Sequence, residues 1–187
     1  MTTPAIAIDV PPARSELQRF LVLFDRLVTE TDLWIRNTPP DRLDWLPIDT
    51  PHVRFGDRLT TVTIKSLYVH MAVAEHHWSR NLRDCAAGEE IPLPRGSAFG
   101  AELTAGDFVA LARRSHEENL EILRDFSPEI LAKPISFAGD GSHWTVMGFL
   151  WGMYGHRAYH LGNLDIYLRQ SDNETPDFFS FQPKAMA

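Results

Sequence analysis

The sequence predicts an all-α fold, an antiparallel four-helix bundle formed as a single domain over residues 1–187. Three observations carry this. Four segments of about 20 residues repeat apolar side chains at spacings of three and four, the period of one helix face. Proline- and glycine-bearing stretches separate them. No stretch alternates convincingly in the manner of a half-buried strand. The length suits one domain, and 44% apolar with 23% charged residues is neither a disordered nor a membrane composition.

The elements follow in order. Residues 1–12 hold three prolines and read as an extended lead-in. The first helix runs from about Ser15 to Asn37, with Leu17, Phe20, Leu21, Phe24, Leu27, Val28 and Trp34 on one stripe, and Pro39-Pro40 ends it. A connection with Pro47, Pro51 and Gly56 follows, in which Trp45 is expected to dock on the bundle. The second helix starts near Thr61 or Thr63, either of which can cap it, and ends near Asp84; Leu67, Met71, Ala74, Trp78 and Leu82 form its stripe. From Cys85 to about Thr104 a long loop is expected, of a length more typical of functional lids than of plain connectors. The third helix spans about Thr104 to Phe126, with Phe108, Leu111, Ala112, Ile122 and Phe126 inward. After a second loop with Pro128, Pro134 and the turn-rich AGDGS, the fourth helix runs from near Thr145 to about Arg169. The tail from Ser171 is polar apart from Phe178, Phe179 and Phe181, which are expected to pack on the bundle or on a partner.

Charge and cysteine usage exclude several classes. Eighteen basic residues against 25 acidic ones leave a net charge of −7, with no basic run to displace counterions from a phosphate backbone, so nucleic acid is not expected as a partner. The sole cysteine, Cys85, permits neither an intrachain disulfide nor a Cys-rich zinc module and reads as an inert, half-buried thiol. The start, MTTPAIAIDVPPARSE, lacks a basic stretch leading into an apolar one, and no apolar run approaches the roughly 18 residues needed to span a bilayer. A cytoplasmic protein without membrane contact is the expectation.

Eight histidines carry the chemistry. His156 and His160 form an HxxxH in the fourth helix, one turn apart on one face, where two imidazoles can bind a single ion. Chance alone yields about 0.3 such pairs in a chain of this histidine content, so the spacing is weak evidence by itself. His70 raises its value. It sits mid-helix beside the apolar stripe of the second helix and points toward the interior. Three inward imidazoles would each need a buried partner, and one metal ion satisfies all three.

The segment VTIKSLYVHMAVAEHHW resembles the second helix of the DinB-like (YfiT-like) metal-binding bundles, where a Thr or Ser opens the helix and a His about seven residues on is the first ligand. WTVMGFLWGMYGHRAYHLGNLDIYLRQ resembles the last helix of that family, a capped start leading to HxxxH and a Tyr-Leu-Arg ending. The resemblance covers the second and fourth helices well and the other two by architecture. It implies His70, His156 and His160 as ligands of one divalent transition metal, zinc or nickel foremost, iron or cobalt otherwise. Three histidines leave positions open for water or substrate, the pattern of a catalytic site.

Around these ligands the sequence marks further candidates. Tyr159 and Asn163 flank the HxxxH on the bundle-facing side and are the catalytic candidates, holding a ligand or a bound water. His77 lies about 10 Å below His70 and is either close to the site or a satisfied histidine elsewhere. Glu75 and His76 are expected on a solvated face. Ser115 and Asn119 fall within the third helix's stripe, facing the metal pocket or bonding each other. Gly148, Gly152, Gly155 and Gly162 form one narrow stripe on the fourth helix, suited to close approach by another helix and to a homodimer.

The resemblance also implies an activity. Members of this group include metal-dependent transferases and isomerases that use low-molecular-weight thiols such as mycothiol, so a small-molecule substrate and a thiol cosubstrate are expected. The lone cysteine agrees with a thiol brought from outside. The alternatives are hydrolysis by metal-activated water, disfavoured because no carboxylate stands out on the inward faces, and a metal-binding stress-response module without turnover.

Overall fold

Helix starts are set by side-chain caps. In the computed structural model, which describes residues 14–46, 54–55, 59–94, 97–137 and 143–171, helix α1 (Glu16–Arg36) opens on a reciprocal box between Ser15 and Gln18. Helix α2 (Ile64–Asp84) opens on the same device between Thr63 and Ser66, which selects Thr63 over Thr61. The threonine hydroxyl of Thr145 caps α6 (Val146–Gln170) by accepting from the Gly148 amide. A single 3-10 turn, Pro40–Arg42, follows α1.

The third predicted helix is α4 (Phe108–Arg124), and the loop expected from Cys85 to Thr104 holds a short helix of its own before it. Helix α3 (Ala98–Ala105) ends at Gly106, and α4 begins afresh with Asp107 as its cap. Polar groups of a restarted helix need their own cap, and Asp107 accepts from the Ala110 amide. One short helix more, α5 (Pro128–Leu131), follows. The expected absence of strands is also corrected. β1 (Glu90–Ile91) pairs in parallel with β2 (Pro134–Phe137), which pairs antiparallel with β3 (His143–Thr145), Ile135 opposite Trp144. These strands hold too few residues to show a period of two, which hid them in the sequence.

Helices α1, α2, α4 and α6 form the four-helix bundle, with α4 and α6 each packed against both α1 and α2. Contacts give the directions. Asp25 meets His116 and Thr29 meets Arg113, so α1 and α4 are antiparallel. Tyr68 meets Phe108, His76 meets Ser115 and Arg80 meets Asn119, so α2 and α4 run the same way. His70 meets His156 while Trp78 meets Phe149, so α2 and α6 are antiparallel. Parallel α2 and α4 explain the long connection after Cys85, because the chain must travel back along the bundle before α4 can start. Part of that crossover is β1 and α3, the latter packed on both α2 and α4.

The interior falls into two apolar clusters. One gathers Phe20, Phe24, Trp78, Leu82, Leu120, Leu123, Phe149 and Met153. The other gathers Leu27, Ile35, Leu67, Met71, Ala112, Leu161, Leu164 and Leu168. Between Met153 and Leu161 on α6, and within the matching turns of α2 and α4, lie buried polar groups, namely Arg157, His160, Glu75, Ser79, Ser115, His116 and Asn119. Cys85 is buried at the end of α2, its Sγ 3.4 Å from the Leu82 carbonyl, with burial pushing the thiol pKa up. No helix of the described residues is long and apolar enough to cross a membrane. The N-terminal lead-in, the AGDGS turn and Phe178, Phe179 and Phe181 lie outside the described residues.

Candidate metal centre

Antiparallel packing of α2 on α6 brings His70 against the HxxxH. His156 Nε2 stands 3.2 Å from His70 Nε2 and 3.1 Å from His160 Nε2. Ligand atoms of all three lie within 4.8 Å of one another, the one such cluster of three or more potential metal ligands among the described residues. Two nitrogens bound to one zinc at about 2.0–2.1 Å and the tetrahedral angle stand about 3.4 Å apart, so the spacing fits shared coordination with little movement. His160 is buried, and burial, reinforced by His70 and Arg157, lowers its pKa to about 4. A neutral imidazole keeps its lone pair for a metal at neutral pH, as a ligand must. These residues therefore fit a single ion.

A cleft of about 330 Å³ opens on the cluster, walled by Phe55, Trp78, Leu93, Pro94 and Phe137 besides the histidines. Trp78 and His160 meet other rings edge-on, Trp78 against His156 at 5.0 Å and Phe55 against His160 at 4.7 Å. A second cavity of about 520 Å³ shares His70 and Pro94 with the first and adds Lys65, Ser66 and Thr104. The crossover after α2 thus supplies Leu93 and Pro94 as walls, while its larger part is structural.

The other candidates fall less neatly. Tyr159 is not on the bundle-facing side; it is 63% exposed, its ring lying 5.1 Å from His160 and 6.0 Å from Phe55 at the rim of the cleft. Asn163 donates its side-chain amide to the Tyr159 carbonyl on its own helix. His77 bonds the Pro92 carbonyl and so ties the crossover to α2, well away from the cluster. Ser115 and Asn119 neither face the cleft nor bond each other: Ser115 pairs with His76 Nδ1 at 2.8 Å, and Asn119 accepts from Arg80 at 2.9 Å. His76 is consequently half-buried rather than solvated, stacked on Phe99 with ring centres 4.1 Å apart.

Glu75 is the largest correction. It is buried, its carboxylate gripped by the Nε and Nη2 of Arg157. The signal was present in the sequence. Glu75 lies four residues after Met71 and three before Trp78, on the apolar stripe itself, and Arg157 holds the equivalent place between Met153 and Leu161. Asp32, likewise on a stripe, accepts from the Tyr68 hydroxyl at 2.7 Å, and burial raises its pKa. The inward faces therefore carry two carboxylates, both engaged.

The fold has known counterparts. YfiT from Bacillus subtilis, described as a probable metal-dependent hydrolase with an unusual four-helix bundle topology, superposes with a TM-score of 0.65 at 13% identity, over 89% of this chain and 95% of that one. The DinB-like protein YjoA, also from Bacillus subtilis, superposes with a TM-score of 0.63 at 19% identity, over 86% of this chain and 96% of its own. No curated protein matches the sequence. The profile of the DinB superfamily matches residues 17–164, which covers the bundle helices up to residue 164 of α6 and all three clustered histidines. The chain belongs to the DinB superfamily.

Proposed function

We propose that the chain binds one divalent transition metal, zinc or nickel foremost, through His70, His156 and His160, and uses it to transfer or isomerise a small molecule with a low-molecular-weight thiol. The carrying observation is the convergence of three imidazole Nε2 atoms, 3.1–3.2 Å from His156 to each partner, at the floor of a cleft. A bound ion would supply Lewis acidity, lowering the pKa of a thiol or water in its open position. The protein's own residues do the rest. Burial keeps His160 uncharged, and Phe55, Trp78 and Phe137 exclude water from the approach. Lys65, Ser66 and Thr104 place polar groups in the adjoining cavity, where the polar arm of a cosubstrate has room. Tyr159 at the rim is placed to orient a substrate entering the cleft. Cys85, buried outside the cleft, is no competitor for the thiol's role.

The likeness to YfiT supports a second reading, hydrolysis by activated water. It needs a free base near the open position. Among the described residues the inward carboxylates are committed, Glu75 to Arg157 and Asp32 to Tyr68, which favours the thiol reading. Cobalt-substituted protein titrated with bacillithiol, mycothiol, glutathione and cysteine decides between them. A sulfur-to-metal charge-transfer band with at least one thiol, lost in His70→Ala, is the expected result. Turnover of an ester or amide with no thiol response would establish the hydrolase. Neither response across a broad screen would leave a metal-binding stress-response module.

A further inference from the structure

We propose that the Glu75–Arg157 ion pair is a positioning device, setting the register of α2 against α6 so that His70 converges on His156 and His160. Each side chain is 2% exposed, and the fork of the guanidinium meets the carboxylate through two nitrogens, one of them at 2.8 Å. Removing both charges from water costs about as much as their attraction returns, so a well-packed apolar pair would be as stable or more so. Stability is therefore not what the pair supplies. Its location identifies what it does supply. Arg157 follows His156 directly and precedes His160 by three residues, while Glu75 follows His70 by five, so the pair and the histidines share two helices within two turns.

Apolar clusters above and below that level discriminate poorly between registers, because leucines and phenylalanines repack at modest cost. A slip of one turn, about 5.4 Å, would strand two buried charges. Arg157 Nη1 is buried without a hydrogen-bond partner among the described residues. Among the described residues Glu75 alone hydrogen-bonds the guanidinium, with Asp32 adding a more distant attraction, and the bidentate edge fixes angle as well as distance. Buried polar pairs that specify register at a cost in stability are known from helical coiled coils. The same logic applies here to a ligand set split between two helices.

The inference uses the metal reading only for one of its two readouts. Wild type, the apolar double variant Glu75→Leu/Arg157→Met and Arg157→Lys are compared metal-free and by competitive chelator titration with zinc. The double variant should melt no lower than wild type when metal-free, yet bind zinc at least about tenfold more weakly. In metal-free protein, nuclear Overhauser contacts from the His70 ring to the His156 and His160 rings should weaken in parallel. Unchanged zinc affinity and unchanged ring contacts in a folded double variant would overturn the proposal. Should that variant not fold, Arg157→Lys decides by the same readouts, since it keeps the charge and loses the fork. A wild type that takes up no zinc would sink the metal reading instead, and the ring contacts then judge this one.

Discussion

The indole of Trp78 meets the imidazole of His156 edge to face, ring centres 5.0 Å apart and planes at 74°. Trp78 is buried on α2, two turns beyond His70, so a core aromatic and a cleft wall are one side chain. Of the five tryptophans in the chain, it is the one lining the cleft.

Metal binding should consequently be visible in tryptophan emission. Nickel or copper added to metal-free protein should quench fluorescence saturably, and Trp78→Phe should remove the larger part of the quench. An unchanged quench amplitude in Trp78→Phe would place the ion elsewhere.

Metal should also stabilise the fold, since only the folded chain converges the three histidines. At a free ion concentration 100 times the dissociation constant the gain is about 2.7 kcal/mol. Elemental analysis should show near-stoichiometric metal in wild type, and His156→Ala/His160→Ala should lose both the metal and the thermal shift.

Breaking the buried pair on one side should be costly. Arg157→Ala leaves Glu75 charged and unpartnered in the core, an expected loss of about 3–5 kcal/mol in denaturant unfolding. The contrast with the apolar double variant is the informative part, because removing both charges avoids the uncompensated one.

His76 predicts an acid-sensitive window. Burial, helped by the neighbouring Arg80, lowers its folded pKa from 6.5 to about 4. The unfolded chain then takes up the proton first as pH falls, so stability is fully present above about pH 6.5 and is lost progressively toward pH 4. His76→Gln should flatten this slope in unfolding measured from pH 7 to pH 4. The slope that remains belongs in part to His160, whose pKa moves the same way.

The four glycines of α6 should separate into two classes. A Cβ on Gly148 or Gly152 would meet the side chains of Thr145 and Trp144, at 3.2 and 3.4 Å, so Gly152→Leu should destabilise. Gly155 and Gly162 face open space, and Gly155→Ala should stabilise by up to about 1 kcal/mol through helix propensity. The homodimer expected from the sequence would use that open part, where Tyr159 and Ile166 are also exposed. Sedimentation of Gly155→Leu tests it: a dimer through this face should dissociate.

The helical period alone determined the four long helices, because an amphipathic stripe is a local property that any fold must bury. The HxxxH was equally local, two imidazoles one turn apart whatever surrounds them. His70 joined them through its place on an inward stripe and through the resemblance, but that the three rings meet is decided by the fold, since 86 residues separate it from His156 and the antiparallel packing of α2 on α6 closes that distance. The expected antiparallel arrangement holds for α1 with α4 and for α2 with α6, but the parallel run of α2 with α4 was not legible. The parallel run of α2 and α4 demands the crossover that holds β1, α3 and the break at Gly106, while β2 and β3 lie in the connection before α6; these are non-local demands that leave little periodic trace. Glu75 and Arg157 show the limit most clearly. Each is a charged residue on an apolar stripe, and read singly each looks like a stripe's edge turned to water. Only the tertiary structure sets them opposite one another, where mutual neutralisation makes burial of both affordable.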